Sequence, residues 1–171
     1  WICHFDDDDY YADDYVAQML AHSADVDFVK LSGWFNLSVE PRALTYWDTS
    51  VLEGAFFRQS GEGLQGMQIG ALKRQQFQRS TMLGYGFSYF HRRAVALKHP
   101  FGDTSFGGDF PVADAFVNAG GAIRLVNDRR GLVLHRLHGK NVSVVFPQYR
   151  LPSFMLDGLF PGYARYEQLI G

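Results

Sequence analysis

Four consecutive carboxylates, Asp6, Asp7, Asp8 and Asp9, follow the short apolar run WICHF with no lysine or arginine beside them. Adjacent carboxylates repel, and their side chains converge on one point only where a cation offsets the repulsion. Hard oxygen donors of this kind suit Mg²⁺, Ca²⁺ or Mn²⁺. The carboxyl end of a strand in an open α/β sheet is also where ligands bind, so position and chemistry agree. The competing reading is a solvated turn whose aspartates cap the next helix. Two histidines, His135 and His138, stand in LHRLHGKNVS with Arg136 and Lys140 close by. Taken as residues alone, such histidines are structural or surface groups as readily as ligands, and the two cations either face phosphate or are surface charges. Among Trp34, Trp47, Tyr85, Phe87 and Tyr89, we single out Trp34 and Tyr85 as a platform on which a sugar ring could stack. Aromatic faces stack on sugar C–H groups, and the glycines of GYG let backbone approach closely, although most aromatics of this chain must be core. Cys3, His4, His22 and His91 have no zinc spacing, and Cys3 with His4 reads as core packing.

Positioning these groups requires strands and helices in alternation. Residues 1–5 read as a short buried strand, and ADDYVAQMLAHS places Val16, Met19 and Leu20 on one helical face, with Asp13 or Asp14 as its N-cap. VDFVKLSGWF is a β-rich apolar segment. The tract 38–80, rich in Gly, Gln and Arg, reads as a long irregular loop, and loops of that length are usually functional. GYGFSYFHRRAVA reads as strand into helix or turn, and DFPVADAFVNAGG as a helix with Val112, Ala115, Phe116 and Ala119 on one face. AIRLVND and GLVLHRL look like two strands around a DRRG turn. Residues 146–171, aromatic and with three prolines, are expected to wrap over the domain rather than join a sheet.

The 171 residues, 47% hydrophobic, suit one domain with a real core. A net charge of −2 leaves no electrostatic footprint for nucleic acid. The single cysteine excludes an internal disulfide framework and fits a reducing, cytoplasmic compartment. No apolar run approaches the ~20 residues of a membrane span, so membrane association would come through parts outside this chain. The start lacks both an initiator Met and a signal-peptide pattern and falls inside a strand, so the chain reads as a fragment of a longer protein.

HFDDDDYYADDYVAQML resembles the D-x-D segment of GT-A glycosyltransferases, family 2 above all, in which an apolar strand ends in aspartates followed by an aromatic pair and a helix. VKLSGWFNLS, GYGFSYFHRRAV, HPFGDTSFGGDFPVADAFVNAGGAIRLV and LVLHRLHGKNVS follow in the order those enzymes use, so the likeness covers residues 1 to about 145. The resemblance implies an α/β fold, a GT-A-like mixed sheet flanked by helices, here lacking the N-terminal nucleotide-binding half. Residues 1–145 would form the family-like core of a single partial domain, and 146–171 its wrapping segment.

The same resemblance implies a glycosyltransferase that moves a sugar from a nucleotide-sugar donor to a saccharide or other hydroxyl acceptor, with Trp34 and Tyr85 as the acceptor-binding pair. It would be metal-dependent, with Mn²⁺ or Mg²⁺, and inverting. Asp6 matches the aspartate that faces the donor, with Asp9 assisting, and Asp8 matches the metal ligand. His138 fits the family's downstream metal or diphosphate histidine, with His135 as the alternative; imidazole beside carboxylates favours Mn²⁺. Asp109 takes the place of the general base, while Gly108 stands where the family has glutamate. Asp109 also precedes a helical pattern with Pro111 in its first turn, so a helix cap is a second reading of the same residue. The departure at Gly108 keeps a non-catalytic or degenerate sugar- or metal-binding domain in view.

Overall fold

The computed structural model describes residues 1–102, 108–140 and 143–170. It is a mixed α/β fold built around one strand. That strand is β3, reached through β1 (Ile2–Cys3), β2 (Tyr10–Tyr11) and helix α1 (Tyr15–Ala21), and it runs Phe28–Ser38 with all eleven residues buried. Burial along the whole strand means that both faces are covered, and it includes the polar side chains of Lys30, Ser32, Asn36 and Ser38. Next come β4 (Ala43–Asp48), the hairpin of β5 (Gly54–Ser60) and β6 (Gly63–Ile69), and helix α2 (Ala71–Leu83). A short 3₁₀ turn at Gly86–Ser88 leads into β7 (Phe90–His91), α3 (Arg93–Lys98) and α4 (Asp109–Asn118). Strands β8 (Ile123–Asn127) and β9 (Val133–Leu137), then β10 (Tyr149–Leu151), α5 (Met155–Leu159) and α6 (Tyr163–Ile170) complete the described chain.

Register along β3 decides what reaches each face. Phe28 lies between His91 of β7, antiparallel, and Ile123 of β8, parallel; Phe35 lies between Tyr46 of β4, antiparallel, and Leu134 of β9, parallel. β8 and β9 therefore follow one another along β3 instead of forming the hairpin that a DRRG turn suggests. The cause is Asp128, whose buried carboxylate accepts four backbone N–H groups, from Arg130, Gly131, Leu132 and Val133, at 2.7–3.1 Å. Gly33 is required within β3, because a Cβ there would stand 2.5 Å from Asn127 Oδ1 and from the Tyr46 hydroxyl.

Side chains alternate across the pleat. Trp34 and its partner Trp47 enter one core with Tyr15, Met19 and Phe87. Phe35 and its partner Tyr46 enter a second core with Leu134, Leu156, Phe160 and Tyr163. The segment 146–171 does lie over this second face through α5 and α6, but β10 also joins the sheet, antiparallel to β4.

Two further expectations need correction. In α1 the buried pair is Tyr15 and Met19, while Val16 and Leu20 stand 45% and 49% exposed, so the helix is rotated by one residue from the expected phase. Both pairs satisfy the i, i+4 spacing, and the aromatic contacts of Tyr15 with Tyr11 and Phe5 select the former. The tract 38–80 is not an irregular loop: it folds into β4, the β5–β6 hairpin and α2. Its glycines punctuate a tight turn, with Ser60 paired to Gly63 across two residues and Gly63 at φ 133°. Among the described residues no helix is long and apolar enough to cross a membrane.

Candidate active site

The four aspartates do not act as one cluster. Asp9 N–H donates to the Asp6 carbonyl at 3.3 Å, closing a turn between β1 and β2 that sends each carboxylate in its own direction. Asp6 lines a cleft of about 760 Å³, and Asp7 is exposed. Asp8 Oδ2 lies 2.9 Å from His138 Nε2. Asp9 is buried, with both oxygens on His135 Nδ1 at 3.0 and 2.8 Å and Oδ1 also accepting the Arg136 N–H at 2.8 Å.

Of the residues singled out from the sequence, Asp6, Tyr85, Asp109 and His135 share the walls of this one cleft. Gly108 lines it too and offers no side chain where the resemblance expects a carboxylate. The segment 103–107 that leads to it, and residues 141–142 of HGKNVS, lie outside the described residues. Asp8 and His138 are not among the described lining residues, and Asp9 stands behind His135. Trp34 is fully buried, its Nε1 donating to Asn36 Oδ1 at 2.9 Å, so it presents no face to a ligand. It supports Tyr85 instead, with ring centroids 5.3 Å apart.

Local geometry at the cleft is tightly determined. Asp109 is the first residue of α4 and does not cap it; its Oδ2 accepts the Gly86 N–H at 2.6 Å. Tyr85, with φ 64° and ψ 67°, sits in the left-handed region, which costs a bulky side chain on the order of 1–3 kcal/mol. Its hydroxyl donates to the Val144 carbonyl at 2.7 Å, and Trp47 packs edge-on against it at 5.0 Å. His135 stacks on Phe87 at 4.9 Å with an 8° tilt.

Charge is concentrated here. Removal from water pushes the Asp6 carboxyl up to about 6, even though the residue is exposed at the rim; Asp9, Asp8 and Asp109 add to the rise and His135 opposes it. Burial alone would lower His135, but the Asp9 carboxylate outweighs it and the net shift is upward. Among the described residues no group of three or more His, Cys, Asp or Glu gathers closely enough to hold a metal ion by itself.

Two groups escaped the sequence reading. His4, expected in the core, lines the cleft, and its Nε2 lies 2.9 Å from His91 Nε2. The His91 Nδ1 faces the Arg92 carbonyl at 3.0 Å and must donate, so its Nε2 accepts and His4 is the donor. Burial first, then His91, lower His4 to about 4. Lys30 is fully buried, and its ammonium donates to the Leu31 and Met82 carbonyls at 2.8 and 2.9 Å, tying β3 to the end of α2 just before Tyr85. A lysine in the middle of the apolar run VDFVKLSGWF was the available signal. Comparison with protein-family models, with curated proteins and with solved structures gave no match to this chain.

Proposed function

We propose that the chain is part of the catalytic region of a nucleotide-sugar-dependent glycosyltransferase with a GT-A-like fold, acting on a saccharide or other hydroxyl acceptor with inversion. The observation that carries this reading is the convergence of Asp6 and Asp109, from opposite ends of the described core, on one cleft walled by Tyr85 and His135. Asp109, held by the Gly86 N–H, takes the proton of the acceptor hydroxyl as that oxygen bonds to the sugar carbon and the nucleotide diphosphate departs. Tyr85 offers the acceptor a ring edge beside the glycine backbone.

A divalent cation, Mn²⁺ or Mg²⁺, fits the donor set. Asp6 supplies an oxygen and His135 a buried Nε2 that has no hydrogen-bond partner among the described residues. Ions of this class commonly take one or two protein ligands and complete their shell with substrate phosphate, so a three-ligand protein cage is not needed. Held there by Asp6 and His135, such a cation would supply positive charge to the departing diphosphate. The Asp8–His138 pair, 2.9 Å apart, stands outside the described lining of this cleft and is not needed for the ion held there.

The test is release of nucleoside diphosphate from a panel of nucleotide sugars by the full-length protein with Mn²⁺, repeated in Asp6→Asn and Asp109→Asn. Turnover that both substitutions remove is the expected result. A lack of release from any donor sinks the enzyme reading and leaves a binding domain, which Gly108 in place of glutamate favours.

A further inference from the structure

We propose that Asp9 is a positioning residue, one that holds His135 so that its Nε2 lone pair is offered to the cleft as a cation ligand, and that Asp9 itself does not touch the donor. This rests on the reading that a cation works in this cleft. Asp9 is 4% exposed, and both of its oxygens lie within 3.0 Å of His135 Nδ1. A carboxylate only accepts, so in the neutral imidazole, the form that binds a cation, the ring proton sits on Nδ1. The Arg136 N–H on Oδ1 fixes the carboxylate, and the stacked Phe87 ring fixes the imidazole plane. Every degree of freedom that would let Nδ1 turn to the cleft is thereby taken.

What remains is Nε2, buried and without a hydrogen-bond partner among the described residues, on a ring that lines the cleft beside Asp6. Buried polar atoms without partners are rare and call for an explanation. A carboxylate on one ring nitrogen with a metal on the other is the arrangement by which proteins fix the tautomer of a ligating histidine. A rival explanation exists. Asn36, the cross-strand partner of His135 in β9, also leaves its Nδ2 without a partner among the described residues, and one trapped water would satisfy both atoms. Asn36 is fully buried and does not line the cleft, and Asp6 does, so the cleft side is favoured.

Co²⁺ alone, added to the full-length protein, separates the two. The proton NMR spectrum is expected to show an exchangeable, strongly shifted N–H signal from Nδ1 of a cobalt-bound histidine, absent in His135→Gln. Asp9→Asn is expected to weaken Co²⁺ binding 10- to 100-fold, with Asp9→Glu recovering part of it. Nitrogen spectra of the cation-free protein at alkaline pH, where no substitution can disturb folding, are expected to place the proton of His135 on Nδ1. A proton on Nε2 instead, a cobalt affinity unchanged in Asp9→Asn, or a crystal soaked in Co²⁺ with water bridging His135 and Asn36, overturns the proposal. Loss of sugar transfer with these signals intact counts against the transferase reading alone.

Discussion

The backbone N–H of Gly86 donates to Asp109 Oδ2 at 2.6 Å, and the two residues are so close that a Cβ at position 86 would stand 2.7 Å from the Asp109 Cβ. The hydrogen bond and the missing side chain are one device, since only a residue without a Cβ lets the turn after Tyr85 approach the first residue of α4. Gly86→Ala must displace Asp109 or the turn. We expect a loss of about 1–3 kcal/mol in chemical denaturation and, in sugar transfer, a fall in kcat larger than the change in donor KM. An alanine variant with wild-type kcat would show that the position of Asp109 does not matter to turnover.

Asp6 makes stability depend on pH in a definite direction. Its carboxyl stands at about 6 in the fold against 3.8 for the free group, so the fold disfavours its ionised form. The penalty is absent below about pH 4, where both states are protonated, and complete above about pH 6. Asp6→Asn should therefore stabilise the fold at pH 7.5 by on the order of 1 kcal/mol once solvent screening at this exposed rim is allowed for, seen as a higher Tm, and leave the Tm unchanged at about pH 3.5. The same substitution should abolish transfer, placing Asp6 among the residues whose retention costs stability. Parallel melting curves of the two proteins across this range check the sign.

How far these relationships were legible in the sequence depends on whether they are local. DDDD announces itself because four like charges follow an apolar strand, and Asp6, Asp109 and His135 could all be singled out from short segments. Asp9 could not be told from Asp6, because its burial follows from β2 pairing with β9, a contact across more than a hundred residues. Trp34 and Tyr85 are alike in chemistry, but the pleat of β3 buries the one while the left-handed turn before Gly86 brings the other to the cleft. In α1 two i, i+4 pairs competed on equal terms until the partners of Tyr15 were known. The β5–β6 hairpin was hidden by its own glycines, which look the same in a turn as in an unstructured tract.

Lys30 gives a prediction of opposite sign to that of Asp6. Burial lowers its ammonium to about 7, with Asp109 opposing, against 10.5 for the free group. The folded state then binds fewer protons than the unfolded state between about pH 7 and about pH 10.5, so wild-type stability gains from this group as pH rises through that window. In Lys30→Met the gain is gone. The variant should compare best with wild type at pH 6 and worst at pH 10, where it has lost two hydrogen bonds to the Leu31 and Met82 carbonyls, about 1 kcal/mol each. Urea midpoints of both proteins at the two pH values read the difference directly, because other titrating groups cancel. A difference that does not change with pH would mean that the carbonyl of Met82, in the last turn of α2, keeps Lys30 charged in the core.

Trp34 and Tyr85 should separate cleanly when substituted. Trp34→Phe removes the indole N–H from Asn36 Oδ1 in a site that has no access to water, and it shrinks a side chain packed against Trp47, Tyr85 and Phe87. A stranded buried acceptor and lost packing together should cost about 2–4 kcal/mol, with any change in acceptor KM following only from loosening of Tyr85. Tyr85→Phe keeps the ring and loses the bond to the Val144 carbonyl, about 1 kcal/mol of stability. Tyr85→Gly relieves the left-handed backbone but removes the aromatic edge from the cleft. The glycine variant also loses the ring packed against Trp34 and Trp47, so it should melt below Tyr85→Phe, while acceptor KM rises at least about tenfold, the equivalent of one stacking contact of about 1.4 kcal/mol. If acceptor KM instead tracks stability across all three variants, Tyr85 holds the turn for Asp109 and takes no part in binding the acceptor.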